Sequence, residues 1–527
     1  MKYVLTGGLI VDGKGNKPYE GAVYIEDGFI TNIIETEGIE EGYEVIELNG
    51  KVISPGFIDI HTHSDIAYTS EYTPESKVYQ GVTTEIVGNC GISSIPYEGD
   101  HMEDILDYFN SIIETNAEGG LKSGNIKEYI SEMNNSCLPI NIGVLIGHGT
   151  LRGAVMGFDD RDPTEDEMNR MCEVLERELR NGAFGLSLGL IYPPGSYSSI
   201  QELIRLAEIV AKYDGVIAVH MRNEGEKVFE SVDEMIKVAE ETGVKMNISH
   251  LKLIGKKQWG RSGEILDNIE RAIESGSRIS CDQYPYTATS TSLAALLPGW
   301  AQDGGLKMML KRLEKNDDKL DQEIIREMES RGGPDRVIIS GTEGGMPSIE
   351  GMSINRIAKL KRITPIEAVK LVLISSKGVV HAVYHSLDQN DMHQIMKRMY
   401  IAIGSDGYAF SYNPDYTTNN PHPRSFGTFP RFFEIVRDNK LMTLGKAVQK
   451  VTSIPANIMG INDRGVIELG KVADITVFDY LGIKDNSSFE DSVKKPSGIE
   501  YVFVNGEILV EKGIIVKNRR GKVITRP

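Results

Sequence analysis

The middle of the chain alternates short apolar runs with amphipathic helical stretches, and this alternation restricts the fold more than any other feature. The runs are "GFIDIHTH", "TTEIVGNCG", "NIGVLIGHG", "AFGLSLGL", "VIAVHMR", "KMNISHLK", "RISCDQYPY" and "YIAIGSDG". Helical stretches fall between most of them. "PTEDEMNRMCEVLERELRNG" opens on a Thr164/Glu167 capping box and closes at Asn181-Gly182. "SIQELIRLAEIVAKYDG" is expected to open in the same way, with Ser199 and Glu202. In "GEKVFESVDEMIKVAEETG", Val228, Val232, Met235 and Ala239 share one helical face. Eight strands with helices between them predict an α/β fold, a (β/α)8 TIM-like barrel. A ninth strand candidate, "RVIISG" at 336–341, is placed in an insertion before the last barrel strand. Residues 285–345 are expected to form this insertion, a lid over the barrel mouth.

The two ends of the chain read differently. "YVLTGGLIVDG" and "GAVYIEDGFITNII" near the start, and "GVIELGKVADITVFD" and "YVFVNGEILVEKG" near the end, are β-branched runs broken by turn residues. Asn505-Gly506 is a hairpin turn signal. The expected organisation is a small discontinuous β-sandwich from 1–54 and 455–527, around a barrel at 55–454.

Bulk properties narrow the function. The net charge of −19 over 527 residues argues against nucleic acid or an anionic membrane as partner, because both need a basic footprint. The start of the chain has no secretory pattern, and no apolar run reaches the length of a membrane span. The four cysteines, at 90, 137, 172 and 281, lack CxxC spacing, which argues against a disulfide framework or a zinc finger. A cytoplasmic protein is the expectation.

Functional groups of a parallel barrel collect at the C-terminal ends of its strands. The residues there are His61, His63, Cys90, His148, His220, His250, Asp282 and Asp406. In "DIHTH", His61 and His63 project from one strand face, about 7 Å apart along the chain. They read either as a metal chelate or as a hydrogen-bonded pair lining the barrel. His220 and His250 end strands thirty residues apart, one βα repeat, which places their tips side by side. Closure of the barrel would bring Asp406 beside His61 and His63, as a ligand, a general base or a helix cap. Cys90 has several readings: a metal ligand, an inert small residue or a nucleophile. Cys137, Cys172 and Cys281 read as structural.

The segments "PGFIDIHTHSD", "GVTTEIVGNCGIS", "GHGTLRGAVMG", "GAFGLSLGLIYPPGSYSS", "HMRNE", "ISHLK", "DQYPYTA", "IGSDG" and "HPRSFGTFPR" resemble the D-aminoacylases, the N-acyl-D-amino-acid deacylases of the metal-dependent amidohydrolase superfamily. The resemblance runs from about residue 50 to 435 and is extended by "GVIELGKVADITVFD". It implies zinc-dependent hydrolysis of a small-molecule N-acyl-D-amino acid to a carboxylate and a free D-amino acid. It implies one tight Zn2+ site made by Cys90, His220 and His250, and a second, weaker site made by His61, His63 and Asp406. Asp406 would act as general base and then as acid. Lys252 and Tyr284 would hold the substrate carboxylate, and Tyr192 would line the pocket. An acidic substrate side chain would call for an extra arginine, with Arg222, Arg356 and Arg424 as candidates. The alternatives are a cyclic-amide hydrolase of the dihydroorotase or hydantoinase kind and a non-catalytic barrel scaffold. The first usually places a bridging lysine on the fourth strand, and "AFGLSLGL" has none.

Overall fold

The computed structural model describes residues 1–34, 41–69, 74–99, 101–112, 123–136, 138–315, 317–343, 345–417, 419–516 and 520–527. Cys137 lies outside them. All eight expected runs form barrel strands: Phe57–Asp59, Val82–Val87, Asn141–Gly147, Gly185–Gly189, Val216–His220, Lys245–Ile248, Ile279–Gln283 and Ile401–Ile403. They lie in chain order in one sheet, each paired in parallel with the next. Nearly every strand residue is buried, as expected of parallel strands covered on both faces.

Closure between the eighth strand and the first relies on the chain just past each of them. Thr62 and Gly407 form a parallel bridge. The Asp406 N–H donates to His61 O at 2.8 Å, and the His63 N–H donates to Gly407 O at 3.0 Å. A buried ion pair reinforces this seam. Lys77 Nζ donates to Asp59 Oδ2 at 2.8 Å and to Ser405 Oγ at 2.6 Å, and the Ser405 N–H donates to Asp59 Oδ1 at 2.8 Å. One wall of the seam is aromatic: Phe57 packs on Phe429 and Phe433 of the helix Arg424–Asn439, with ring centroids 5.8 and 5.3 Å apart.

The helices cover the barrel through the apolar faces predicted for them. Thr164 and Glu167 form the expected capping box on Glu165–Arg180. Ser199 does not cap Ile200–Lys212. The carboxylate of Glu202 turns inward instead, 2.7 Å from His148 Nε2 and 3.2 Å from Arg152 Nε. A fully buried arginine needs an anion more than a helix end needs a second cap. His148 is thereby engaged away from the other strand-end histidines. Cys281 is buried in the seventh strand and Cys172 half-buried in Glu165–Arg180, and both are free thiols.

Both chain ends enter one nine-stranded sheet. Val52–Pro55 joins them by pairing in parallel with Lys2–Ile10 and antiparallel with Ile475–Phe478. Leu5, Ile25, Ile53, Ile475, Val477 and Phe503 share its core. Asn505 and Gly506 turn the hairpin between Ile499–Val504 and Glu507–Glu511, both at positive φ, 50° and 81°. The ninth strand candidate, Val337–Gly341, belongs to the insertion: it pairs with His381–Tyr384, which also pairs with Thr289–Ser292. The insertion has a core of its own that runs from Leu293 to Tyr384, so it continues beyond residue 345. Among the described residues, no helix is long and apolar enough to cross a membrane.

The seam leads to a prediction. Replacing Lys77 with methionine leaves Asp59 as an unpaired buried charge, so the protein should lose about 3–5 kcal/mol of stability. Urea unfolding of Lys77→Met beside the native protein measures this.

Candidate active site

Three of the strand tips carry non-glycine residues in the left-handed region: Cys90 at φ 53°, His250 at 37° and Asp406 at 52°. Each such residue costs about 1–3 kcal/mol and persists only where the surrounding structure enforces it. At Cys90 the enforcement comes from its neighbours. A Cβ on Gly88 would stand 2.1 Å from Leu145 O, and one on Gly91 would stand 2.5 Å from Gly189 N. Only glycines let the chain turn this tightly between the third and fourth strands.

The turn aims the thiol at the imidazoles. Cys90 Sγ lies 3.3 Å from His61 Nε2 and 3.5 Å from His250 Nε2. His220 packs against His250 with ring centroids 4.4 Å apart. Asp406 Oδ1 is 3.1 Å from His63 Nε2 and 3.3 Å from His61 Nε2, and Arg424 Nη1 donates to its Oδ2 at 2.5 Å. Ligand-capable atoms of His61, Cys90, His250 and Asp406 all lie within 4.8 Å of one another, and so do those of His220, Glu224 and His250. Of the six expected ligands, His61, Cys90, His250 and Asp406 meet in one cluster, His63 adjoins it through Asp406, and His220 lies in the second cluster with His250.

The electrostatics follow from this crowding. Burial opposes ionisation of Cys90, but His61, His250 and His220 outweigh it and hold the thiol well below its ordinary pKa. Burial works against a charged His61, yet Asp282 and Cys90 raise its pKa well above the usual value. Burial likewise opposes protonation of His220, and Glu224 with Cys90 pushes it up to about 9. Asp406 is held well below the usual carboxylate range, because Arg424, His250 and His61 overcome its burial.

Lys252, Tyr284 and Tyr192 line the same cavity as Cys90, His220 and Asp406. Lys252 Nζ donates to Glu224 Oε1 at 2.6 Å and lies 2.7 Å from His250 Nδ1. The Tyr284 ring stands between two cations, with Lys252 5.8 Å and Arg424 5.3 Å from its centroid. Tyr192 stacks edge-on against His220 at 5.1 Å, and its hydroxyl pairs with Thr291 of the insertion at 2.8 Å. Of the arginines considered for an acidic side chain, only Arg424 reaches the cavity. Arg222 is tied to Glu234 and to the carbonyls of Ser196 and Ser198, and Arg356 is exposed on an insertion helix.

Two site residues went unrecognised in the sequence. Glu224 is buried, 3.1 Å from His250 Nδ1 and 3.4 Å from His220 Nε2. The only sequence sign of it was the one-turn spacing from His220. Arg331 enters from the insertion, and no strand-end pattern marks it. Asp282, noted only for its position, holds the His61 ring and the His250 backbone: its carboxylate lies 3.2 Å from His61 Nδ1 and accepts from the backbone N–H of His250 at 2.8 Å and from Asn247 Nδ2 at 2.7 Å.

Comparison with known proteins gives the family. The sequence model of the amidohydrolase family matches residues 44–510. A D-aminoacylase of Alcaligenes xylosoxydans xylosoxydans is 29% identical over 530 residues, covering 99% of this chain and 97% of that protein. An N-acyl-D-glutamate deacylase of the same organism is 30% identical over 509 residues, covering 96% and 93%. The crystal structure of an N-acyl-D-glutamate deacylase from Bordetella bronchiseptica holds zinc and a phosphonate mimic of the tetrahedral intermediate. It superposes with a TM-score of 0.82 at 29% identity, covering 100% of this chain and 99% of that one. The chain belongs to the amidohydrolase family, and its full-length likeness is to the deacylases of N-acyl-D-amino acids within it.

Asp282→Asn should place an amide donor against His61 Nδ1 and weaken charge-assisted bonds to two imidazole-bearing strands. The expected loss is about 1.5–3 kcal/mol, read from denaturant unfolding with a chelator present, so that metal binding does not mask it.

Proposed function

We propose that this protein is a zinc-dependent hydrolase that removes the acyl group from N-acyl-D-amino acids, releasing a carboxylate and a free D-amino acid. The observation that carries the reading is the Cys90 thiolate at the centre of four strand-end imidazoles, beside the Asp406 carboxylate, in one buried cavity. Two features support a resident cation. Among the described residues, neither ring nitrogen of buried His220 forms a hydrogen bond. The imidazoles are also drawn toward protonation by a thiolate and carboxylates, and a divalent cation replaces protons in such a donor set.

In this reading Cys90, His220 and His250 hold the tight zinc, and His61, His63 and Asp406 form a second, weaker site. A thiolate with two imidazoles suits zinc. Glu224, beside both His220 and His250, orients those two rings. The fourth strand, Gly185–Gly189, supplies no lysine, so Cys90 would bring the anionic charge that a carboxylated bridging lysine brings in cyclic-amide hydrolases. When bound, the metal acts as a Lewis acid that polarises the amide carbonyl and favours water as nucleophile at neutral pH.

The protein's own groups do the rest. Asp406 takes a proton from the attacking water as its oxygen bonds to the acyl carbon. It then delivers that proton to the departing nitrogen as the C–N bond breaks. Lys252 and Tyr284 hold the substrate α-carboxylate, with Arg424 adding charge beside them. Tyr192 and the insertion residues Thr289 to Thr291 wall the cavity and keep bulk water from it. Support for the D configuration comes from the relatives, which are named for D-amino acids.

A hydrolysis screen of paired N-acetyl D- and L-amino acids, run with zinc quantification, tests the reading. Turnover of D-substrates by zinc-containing protein is expected; activity confined to L-substrates or to cyclic amides would overturn it. Asp406→Asn should lower kcat by about 10²–10⁴-fold with the zinc at Cys90, His220 and His250 retained. Near-native turnover in that variant would remove Asp406 as the base.

A further inference from the structure

Arg331 follows the insertion helix Asp318–Ser330 and is 3% exposed. It lines the active-site cavity together with Ile191 and Ile254. It also lines a neighbouring cavity with Asn223, Glu226 and Arg326. The side chain therefore stands between the two cavities.

Its charge is only partly answered. Nε donates to Glu327 Oε1 at 2.8 Å, and the Glu327 side chain is itself 39% exposed. The guanidinium stacks on Tyr384, 4.7 Å from the ring centroid. Among the described residues, Nη1 and Nη2 form no hydrogen bond. A buried guanidinium with two unengaged donor groups beside a cavity suits the bidentate approach of a carboxylate. The other cations of this cavity are already matched, Lys252 to Glu224 at 2.6 Å and Arg424 to Asp406 at 2.5 Å. They stand on the barrel side, around Tyr284, where the α-carboxylate is expected.

We propose that Arg331 is an anchor for a second carboxylate on the substrate, so that the preferred N-acyl-D-amino acid is a dianion. This rests on the deacylase reading above. The second carboxylate is carried either by the amino-acid side chain or by the acyl group. Arg331 has the tether to hold it: Glu327 and Tyr384 fix the guanidinium in place, so little freedom is lost on binding.

The experiment compares kcat/KM for N-acetyl-D-glutamate, N-succinyl-D-alanine and N-acetyl-D-methionine in the native, zinc-loaded protein and in Arg331→Met. The native protein should favour one of the two dianions over N-acetyl-D-methionine. A preference for the glutamate derivative places the second carboxylate on the side chain, and one for the succinyl derivative places it on the acyl group. Arg331→Met should lose about 10- to 150-fold on the favoured dianion and change little on N-acetyl-D-methionine. Native preference for N-acetyl-D-methionine, or an equal loss on all substrates, overturns the proposal and leaves the deacylase reading standing. Absence of activity on every N-acyl-D-amino acid in the wider screen would overturn both. If Arg331→Met does not fold, Arg331→Lys decides: it keeps the charge and loses the two-pronged donor fork, so kcat/KM should fall on the favoured dianion and change little on N-acetyl-D-methionine, and an equal loss on both refutes the anchor.

Discussion

The active site depends on how the barrel closes. The first and eighth strands, Phe57–Asp59 and Ile401–Ile403, are the two ends of the barrel sheet and do not pair along their lengths. The join is made just beyond them by the Thr62–Gly407 bridge and is reinforced by a fully buried lysine. Lys77 binds Asp59 at the end of the first strand and Ser405 after the eighth, and Asp59 in turn holds the Ser405 backbone. Ser405 is the residue before Asp406, and Asp59 lies two before His61. One ion pair with its hydrogen bonds therefore fixes the distance between the expected base and the first pair of imidazoles. A buried pair of this kind stabilises little in net terms compared with an apolar replacement, but it is directional. Here the direction sets the position of the chemistry.

On that frame the site is a problem of charge. Two imidazoles, a thiol, two carboxylates, a lysine and two arginines line one cavity, and His61 and His250 press on the thiol beside it. Despite burial, the surrounding imidazoles draw the thiol toward ionisation, and the thiol and carboxylates draw His61, His63 and His220 toward protonation. In the proposed reading a divalent cation takes the place of those protons. The position of Cys90 explains why a cysteine serves on this scaffold. Its left-handed backbone and the close approaches at Gly88 and Gly91 carry Sγ from the second strand toward the middle of the barrel mouth. From there it meets His61 on one side and His250 on the other.

Much of this was legible in the sequence because it is local or periodic. The apolar runs marked all eight strands, and their polar ends marked His61, His63, Cys90, His220, His250 and Asp406. Asn505-Gly506 marked its hairpin because only a few residue types accept two consecutive positive φ angles. The residues that escaped act across long stretches of chain. Glu202 carried a local capping signal, but His148 and Arg152, some fifty residues earlier, drew its carboxylate inward. Lys77 looks like any surface lysine until the fold places it over Asp59. Arg331 lies in an insertion whose path over the barrel has no periodic signature. The insertion itself was expected to end near residue 345, but its sheet needs His381–Tyr384 as the central strand, and a strand that pairs only within an insertion has no barrel spacing to reveal it.

The central claim is that Cys90 supplies the anionic ligand of the zinc site. Zinc-edge X-ray absorption on the metal-loaded protein tests it most directly. The account predicts one sulfur scatterer at about 2.3 Å beside nitrogen scatterers at about 2.0–2.1 Å, with the sulfur shell lost when Cys90 is replaced by serine. A first shell made only of nitrogen and oxygen in the native protein would contradict it.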